Sequence, residues 1–421
     1  MALSLHPARW FSVARASLLG IAWWAAGVAA AHAAETAAVV TAPTAKTALQ
    51  VAVCLPAQAL PGSSPLFQLI EADRPGGVVA AQRVAAMAED GTQADQAACL
   101  AATIPPAKDG AGTRRFRVEA SPSQASGGFS FREINDKSLA LLDDGKPVLV
   151  YNHGVITNEL VPKNDARRNR SCFIHPVYGL NGEVITDSFP KDHYHHHGIF
   201  WAWSHILIDG QEYDLWVNNK IEQRFVRWIC REAGPVAAVL AVENGWFAGD
   251  KKVMIERVWL RAYRPAEGAR SLDITLVLMP VDKPVTLRGA EGKSYGGINL
   301  RYAPRKDTVI TVPSGRTKED LPDTRLAWAD LTAEFAGAPG PSGAAIFVDP
   351  KHPDFPPPWL TRHYGILCCG YPGVQGKTFP PGEPVRLDYR VWIHKSAVDV
   401  ADLQQAFEAY GAGRNAVSSR Q

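Results

Sequence analysis

The feature that most constrains the fold is a succession of short segments, from Phe129 almost to the C-terminus, in which apolar residues alternate with polar ones or cluster over a few positions. Apolar segments of about 4–8 residues with a period of two are typical of β-strands. Turn-forming pairs such as Asn181-Gly182 and Asp209-Gly210 separate them. The clearest predicted strands are residues 147–152, 198–203, 253–263, 272–279 and 386–394.

These segments predict an all-β fold for residues 126–415, arranged as one large two-sheet β-sandwich. The chain has no βαβ alternation, no P-loop and no GxGxxG motif, which excludes the usual nucleotide-binding folds. Near the C-terminus the apolar period changes to that of an amphipathic helix, with Ser396 or Asp399 as its expected N-cap. The apolar positions of this helix are Val400, Leu403, Phe407 and Tyr410.

Residues 48–125 form a first unit, which we predict to be a small accessory β-sandwich domain. Its expected strands are residues 51–55, 66–70 and 115–119. The Ala- and Gln-rich stretch 84–99 fits either a helix or a surface loop. Cys54 and Cys99 would join within this unit as a disulfide in an oxidising compartment, or would remain two buried thiols, and the sequence leaves both hypotheses open.

The first 33 residues have the organisation of an export signal. Arg9 and Arg15 precede an Ala-rich apolar stretch that ends at Ala33 in a small-x-small cleavage site. The stretch is shorter than the ~20 residues that span a bilayer, and no later segment is long enough. We expect residues 1–33 to be a removed signal peptide and residues 34–47 a flexible leader. The mature protein would then be periplasmic or secreted, without stable membrane insertion.

Charge and motifs exclude several classes of function. The chain carries 44 basic and 42 acidic residues without basic runs, so it lacks the electrostatic footprint of a nucleic-acid-binding protein. It contains no GxSxG elbow and no HExxH motif, so neither a serine hydrolase nor a zincin protease is supported. The expected partner is a small molecule or an oligosaccharide.

A cluster of histidines carries the strongest chemical signal. Six of the twelve histidines lie between His175 and His205. Imidazole titrates near neutral pH, so it serves as a general acid, a general base or a metal ligand. The candidate catalytic imidazoles are His193, His195 and His196. A purely structural role, with stacked rings supporting loops, is the third hypothesis.

The same cluster also suggests a metal site. If the run is extended, His193, His195 and His197 share one face, because side chains alternate along a strand. Imidazoles at that spacing can converge on one divalent ion such as Zn²⁺. Asp187, Asp192 or Glu256 would supply an oxygen ligand or would hydrogen-bond to the ligating imidazoles. A divalent metal ion is therefore the one cofactor that the sequence suggests.

Aromatic residues near the cluster suggest a sugar ligand, because the C–H faces of sugars pack on aromatic rings. Trp246, which we expect in a loop, is the best candidate among them. Gly296-Gly297 would let the backbone approach a ligand closely, with Tyr295 as a proton donor and Arg301 as a stabiliser of developing charge. The candidate substrate-binding residues are Trp203, Trp246, Asn299, Trp359 and His363.

These motifs resemble those of the PmoA-like bacterial family of unknown function, over roughly residues 148–410. The matching pieces are His175-Pro-Val-Tyr-Gly, Asn181-Gly-Glu-Val-Ile-Thr-Asp187, Phe189-Pro-Lys-Asp-His193, His195-His196, Gly198-Ile-Phe-Trp-Ala-Trp203, Tyr295-Gly-Gly297, Pro358-Trp359 and Tyr364-Gly365. The family usually has Arg where this chain has His197, which weakens His197 as a shared site residue. The resemblance implies an exported protein of carbohydrate breakdown with a β-sandwich like the galactose-mutarotase supersandwich, and it brings no established mechanism.

Together these observations predict an exported carbohydrate-active enzyme that acts on a sugar, a uronic acid or a keto-sugar. The chemistry would be His-based acid–base or metal-assisted catalysis, as in a lyase, a hydrolase or an epimerase. Two alternatives of other classes remain open. One is a non-catalytic periplasmic glycan-binding protein, and the other is a structural β protein whose fold a bound metal ion stabilises.

Overall fold

Strands make up nearly all of the regular structure, as seen in a computed structural model that describes residues 38–62, 64–72, 74, 76–107, 112–122 and 127–420. The predicted signal peptide, residues 1–33, lies outside these ranges. Within them, two short 3₁₀ turns (Ala57–Ala59 and Ala166–Arg168) and one α-helix accompany the strands. No helix in these ranges is both long and apolar enough to cross a bilayer. The prediction of an all-β fold is confirmed.

The chain first forms an N-terminal antiparallel sheet. Its strands are β1 (Ala38–Pro43), β2 (Leu49–Pro56), β3 (Leu66–Glu71), β4 (Val78–Met87), β5 (Gln93–Ile104) and β6 (Thr113–Ala120). They lie in the order β2-β5-β4-β3-β6-β1. Cys54 and Cys99 face each other across β2 and β5 and form a disulfide, which decides between the two hypotheses for this pair.

Two predictions for this region are wrong. Part of the expected flexible leader is β1, which pairs with β6 and buries Ala38, Val40 and Ala42 in an apolar cluster. The stretch 84–99 forms no helix: it is the end of β4, a short turn and the start of β5. Val84 pairs with Cys99 and packs against Trp259 of a later strand, and such tertiary contacts override the helical tendency of an Ala-rich segment.

The rest of the chain builds the larger part of the molecule. Its strands are β7 (Phe129–Asn135), β8 (Ser138–Asp143), β9 (Lys146–Asn152), β10 (Ile156–Thr157), β11 (Asn169–Arg170), β12 (Phe173–Val177), β13 (Ile199–Ala202), β14 (His205–Ile208), β15 (Gln211–Tyr213), β16 (Glu222–Ala233), β17 (Ala237–Ala248), β18 (Lys251–Tyr263), β19 (Ala269–Pro280), β20 (Val285–Arg288), β21 (Gly297–Arg301), β22 (Arg305–Val312), β23 (Gly315–Thr317), β24 (Thr324–Arg325), β25 (Trp328–Phe335), β26 (Ser342–Val348), β27 (Pro358–Arg362), β28 (Ile366–Gly370), β29 (Lys377–Phe379) and β30 (Val385–His394). Helix α1 (Val400–Arg414) and β31 (Val417–Arg420) follow, and β31 pairs with β1 at the edge of the N-terminal sheet.

Two nine-stranded antiparallel sheets dominate the described part of the chain. The front sheet has the order β24-β27-β28-β21-β13-β12-β9-β8-β7, and the back sheet has the order β16-β17-β18-β19-β30-β26-β25-β22-β23. A four-stranded sheet (β15-β14-β20-β29) and the β10-β11 ribbon complete the set.

The main core lies between the front and back sheets. Trp201 and Leu300 of the front sheet belong to the same buried apolar cluster as Leu260 and Val391 of the back sheet. Burying one large apolar side chain contributes about 1.5–3 kcal/mol to folding, so this cluster holds the two sheets together. The predicted two-sheet sandwich is confirmed.

The outer face of the back sheet is covered as well. Val239 and Trp259 on that face pack in one cluster with Val84 and Cys99 of the N-terminal sheet. The indole nitrogen of Trp259 donates a hydrogen bond to the carbonyl oxygen of Gly91, at 2.7 Å. The N-terminal sheet therefore packs against the sandwich, and the division into two domains stays a prediction.

Helix α1 begins where the sequence predicts. The Asp399 carboxylate accepts a hydrogen bond from the backbone N–H of Asp402 at 2.9 Å, and the Asp402 side chain reciprocates, which forms a capping box. Leu403 and Tyr410 are buried against Trp328 of the back sheet. The helix thus follows from its cap and its apolar face.

Replacing Asp399 with alanine is expected to lower the free energy of unfolding by about 1 kcal/mol, because the cap hydrogen bond is lost. Urea denaturation followed by circular dichroism measures the change. Ser396→Ala is the matched control, since Ser396 participates through its backbone oxygen, which accepts from His394. Equal losses in the two variants would contradict the assignment of Asp399 as the cap.

Candidate active site

A cavity of about 230 Å³ opens on the outer face of the front sheet, which is the face turned away from the main core. The alternation of each strand explains its position. On β28, Leu367 points into the core while Cys368 lies in the cavity wall. The described lining residues are His193, His195, His196, Trp216, Lys293, Tyr295, Leu360, Arg362, Tyr364, Ile366 and Cys368.

The histidines reach this cavity from the loop between β12 and β13. The run is not extended, since the N–H of His193 donates to the Pro190 carbonyl and the N–H of His196 donates to the His193 carbonyl, as in consecutive turns. The rings of His193 and His196 consequently stack with centroids 4.6 Å apart, and His195 packs edge-on against His196 at the same distance. The three candidate catalytic imidazoles therefore lie together.

Gly198 fixes the end of this loop. Its backbone has φ of +49°, and a Cβ at this position would collide with the carbonyl oxygen of Ile174. Its N–H donates to Asp187 and its carbonyl accepts from the N–H of Arg301. A glycine is thus required where the histidine loop joins β13.

The arrangement predicted for a metal ion is absent. His197 is buried against Phe173 and Phe189, with its Nδ1 3.2 Å from the Ser188 hydroxyl. Turns replace the extended run, so His197 does not share a face with His193 and His195. Across the ranges that the structure describes, no group of three or more His, Cys, Asp or Glu side chains is placed to hold a metal ion.

Arg301 lies beneath the imidazoles and organises them. Its Nη2 is 3.0 and 3.1 Å from the two carboxylate oxygens of Asp192, and its Nη1 is 3.4 Å from Nδ1 of His196. Asp192 also lies 2.9 Å from Nδ1 of His193. Burial raises the pKa of Asp192, but the hydrogen bond to His193 and the charge of Arg301 outweigh it and hold this pKa below its usual value. Asp192 is therefore a carboxylate that orients the cluster.

The surroundings of His195 keep its imidazole neutral. Burial, reinforced by the neighbouring His193 and Arg167, lowers the pKa of His195 to about 4, so the ring is neutral at pH 7. Burial also lowers the pKa of His196. Nδ1 of His195 has no hydrogen-bond partner among the described residues. A neutral ring in the cavity wall fits a hydrogen-bonding group for a ligand or a base.

Aromatic rings form one wall of the cavity. Trp216 and Tyr295 are 4.7 Å apart between ring centroids, and Tyr364 stacks on His193 at 4.9 Å. Burial raises the pKa of Tyr295 above its usual value, so its phenol stays protonated and can donate a proton or a hydrogen bond. The structure thus brings Tyr295 into the cavity with the candidate imidazoles.

Three tryptophans proposed as ligand contacts lie in the interior instead. Trp203, Trp246 and Trp359 are all 0% exposed. Their indole N–H groups donate to buried acceptors: Trp203 to the Tyr371 carbonyl at 2.6 Å, Trp246 to Glu256 at 2.6 Å and Trp359 to the Leu326 carbonyl at 2.8 Å. Trp246 lies within β17 and not in a loop. None of the three lines the cavity.

Two further candidates also lie elsewhere. Asn299 is fully buried and donates from Nδ2 to the Gly297 carbonyl at 2.9 Å. His363 points its Nδ1 at Asp320, 2.8 Å away, and is not among the lining residues. Gly297 faces the neighbouring strand and not a ligand, because a Cβ there would collide with the Cys369 carbonyl oxygen.

Sequence reasoning did not predict seven of the described lining residues. Among the polar and aromatic ones, Trp216 follows β15, Lys293 precedes β21, and Arg362 and Tyr364 lie at the end of β27, so they meet only in the fold. The available signal was proximity in sequence, since Lys293 precedes Tyr295 by two positions and Arg362 adjoins His363. That signal does not show which side of the sheet a residue faces.

Buried histidines make stability depend on pH. Burial lowers the pKa of His175, His195 and His352 to about 4, below the unfolded value of about 6.5, and it lowers the pKa of His196 and His197 as well. Between these values the unfolded chain binds protons that the folded chain does not, so stability is lost as the pH falls.

The free energy of unfolding is therefore expected to fall between about pH 6.5 and pH 4, by at most about 1.4 kcal/mol per pH unit for each such histidine. Three buried acids have a raised pKa and oppose this trend, because they take up protons more readily in the folded chain. They are Asp187, Asp214 and Glu256, and they are fewer than the histidines. Urea denaturation across this pH range measures the slope, and His195→Gln should make it shallower. A stability that is constant or rises towards pH 4 would contradict the burial of neutral imidazoles.

Fold and site together define a β-sandwich protein with an imidazole- and aromatic-lined cavity on an outer sheet face. Residues 138–408 match the profile of a family described as a family of unknown function, DUF6807, and the chain belongs to that family. The matched family carries no PmoA-like label, so that resemblance stays a prediction. No curated protein matches the chain.

Among solved structures, the chain is similar to the crystal structure of the GalM/aldose epimerase homologue from C. elegans. The two share 9% sequence identity and a TM-score of 0.28, over 64% of this chain and 99% of the other. A TM-score of this size does not establish a common architecture. The fold assignment therefore rests on the sheets described above.

Proposed function

We propose that this protein is an exported carbohydrate-active enzyme that acts on a sugar, a uronic acid or a keto-sugar by imidazole acid–base chemistry. The observation that carries the proposal is the neutral His195 ring in a cavity shared with His193, His196 and Tyr295. A base and a phenolic acid in one cavity are the two groups that proton transfer to and from a sugar needs.

The cavity also has the surface that a sugar needs. Trp216 and Tyr295 offer ring faces to C–H groups, while imidazoles and phenols offer hydrogen bonds to hydroxyls. Its volume of about 230 Å³ lies below the ~300–1,000 Å³ of pockets for drug-sized ligands. A single sugar unit, free or at the end of a chain, is the ligand that this size favours.

We assign different roles to the groups in and under the cavity. His195 would take or return the proton, and Tyr295 would protonate a leaving or carbonyl oxygen. Arg301 is not among the lining residues and acts through Asp192 and His196, so it is a positioning residue. The proposal does not include a metal ion, because no three ligand side chains among the described residues are placed to hold one.

Elimination, isomerisation and hydrolysis are the three reactions compatible with these groups. The test incubates the mature chain with neutral, acidic and keto-sugars, as monomers and oligomers, and identifies products by NMR. Elimination leaves a carbon–carbon double bond, isomerisation leaves the mass unchanged, and hydrolysis adds water. Binding without any product would support the glycan-binding alternative and overturn the enzymatic proposal.

Export remains part of the proposal, and it rests on the signal-like character of residues 1–33. Expression of the full chain in a bacterial host, with cell fractionation and N-terminal sequencing, tests it. Cleavage after Ala33 with recovery outside the inner membrane is expected. An uncleaved chain in the cytoplasmic fraction would contradict it.

A further inference from the structure

The charged residues that line the cavity are both cations. Lys293 and Arg362 line it, and none of the described lining residues carries a carboxylate. Arg301 lies beneath it, buried and paired with the carboxylate of Asp192. The imidazoles of His195 and His196 are neutral at pH 7 and add no charge. A cavity walled by cations raises the local concentration of anions.

Lys293 is free to bind a ligand. Its side chain is exposed at the cavity mouth and makes no ion pair with any described residue. The loop that carries it also brings Tyr295 into the aromatic wall. An ammonium group in this position is a charge available to an incoming anion.

Arg362 is only partly neutralised. Asp320 lies 3.6 Å from Nη1 of Arg362, which is long for a charge-assisted hydrogen bond. The closer contacts of Asp320 are with His363, whose N–H and Nδ1 both lie 2.8 Å from Oδ1. Asp320 therefore mainly holds His363 and leaves part of the Arg362 guanidinium for another acceptor.

We propose that the sugar bound in this cavity carries a carboxylate, which Lys293 and Arg362 recognise. This inference rests on the proposed function and names the substrate class: uronic acids or uronate-terminated oligosaccharides. A guanidinium matches the planar, two-oxygen geometry of a carboxylate, and a lysine adds a point charge. A neutral sugar would leave Lys293 unpaired and Arg362 with Asp320 alone.

The test compares binding of D-galacturonate, D-galactose and D-galactose 6-phosphate to the mature protein by calorimetry at low salt. Galacturonate is expected to bind about tenfold or more tighter than galactose, since hydrogen bonds to charged groups are stronger than neutral ones. The preference should shrink as salt rises, because the cations at the mouth are exposed.

Substitutions test whether Lys293 and Arg362 cause the preference for galacturonate. Lys293→Gln and Arg362→Gln should each reduce the preference for galacturonate over galactose several-fold, whereas Lys293→Arg should retain it. Lys306→Gln, which removes one exposed charge on β22 away from the cavity, should leave it unchanged. Melting temperatures confirm that each variant is folded.

The outcomes separate this inference from the proposed function. Equal affinity for galactose and galacturonate, or a preference that survives both Gln variants, overturns the carboxylate site. If galactose 6-phosphate binds more tightly than galacturonate, the carboxylate site is also overturned, and a sugar phosphate becomes the expected ligand. If galacturonate binds as expected and no acidic sugar is converted, the carboxylate site stands and the enzymatic proposal falls. If no sugar binds, both fall.

Discussion

Replacing His195 with alanine is expected to lower kcat/KM on the sugar substrate by about 10²–10⁴-fold, which is the usual contribution of a positioned general acid or base. His195 lines the cavity as a neutral ring, because burial lowers its pKa to about 4. The same pKa predicts that activity is constant above about pH 5 and falls as His195 gains a proton at lower pH. Initial rates across this range measure both effects.

Two comparisons make the His195 result specific. His195→Gln keeps a polar side chain of similar reach and loses proton transfer, so it should lose activity like alanine while binding substrate nearly as the wild type does. His205→Ala is the matched control, since His205 pairs with Glu212 outside the cavity and should keep full activity. Full activity in His195→Ala would remove this residue from the chemistry.

Replacing Trp246 with alanine is expected to lower the free energy of unfolding by about 3–5 kcal/mol, as for other buried large aromatic side chains. Trp246 is 0% exposed and packs against Trp203 at 5.3 Å. Its loss would also remove one of three hydrogen bonds that Glu256 accepts in the interior, the other two coming from Gln223 and Asn244. Guanidinium denaturation measures the change.

Trp246→Phe separates packing from the hydrogen bond. It keeps most of the buried area, so it should cost less than alanine, with the remainder due to the hydrogen bond lost at Oε2 of Glu256, which still accepts from Gln223. Sugar affinity should be unchanged in the folded Phe variant. A stable Trp246→Ala protein with weakened sugar binding would restore the hypothesis that this residue contacts a ligand.

Local patterns in the sequence predict much of the sandwich. Alternation along residues 386–394 places Leu387 and Val391 in the core, as β30 shows, and a cap with a 3.6-residue period locates α1. The N-terminal sheet was harder to predict. Its residues 84–99 are helix-like in composition, and they become strands because neighbouring strands pair with them. Pairing between strands cannot be predicted from the residues of one segment alone.

The candidate site was predicted in part for a similar reason. The density of histidines marks the right loop, but only the turns at His193 and His196 decide that His196 enters the cavity and His197 leaves it. Aromatic character alone does not separate Trp216, in the cavity wall, from Trp203, in the core. The side of the sheet that a residue faces depends on register and on what covers each face.

Histidine-selective ¹⁵N NMR of the mature protein tests the central claim, a neutral imidazole in a sugar-binding cavity, most directly. The His195 resonance, identified by its loss in His195→Gln, should show a neutral ring down to about pH 5 and should shift when galacturonate is added. A His195 that titrates near pH 6.5, or that responds to no sugar of any kind, would contradict the account.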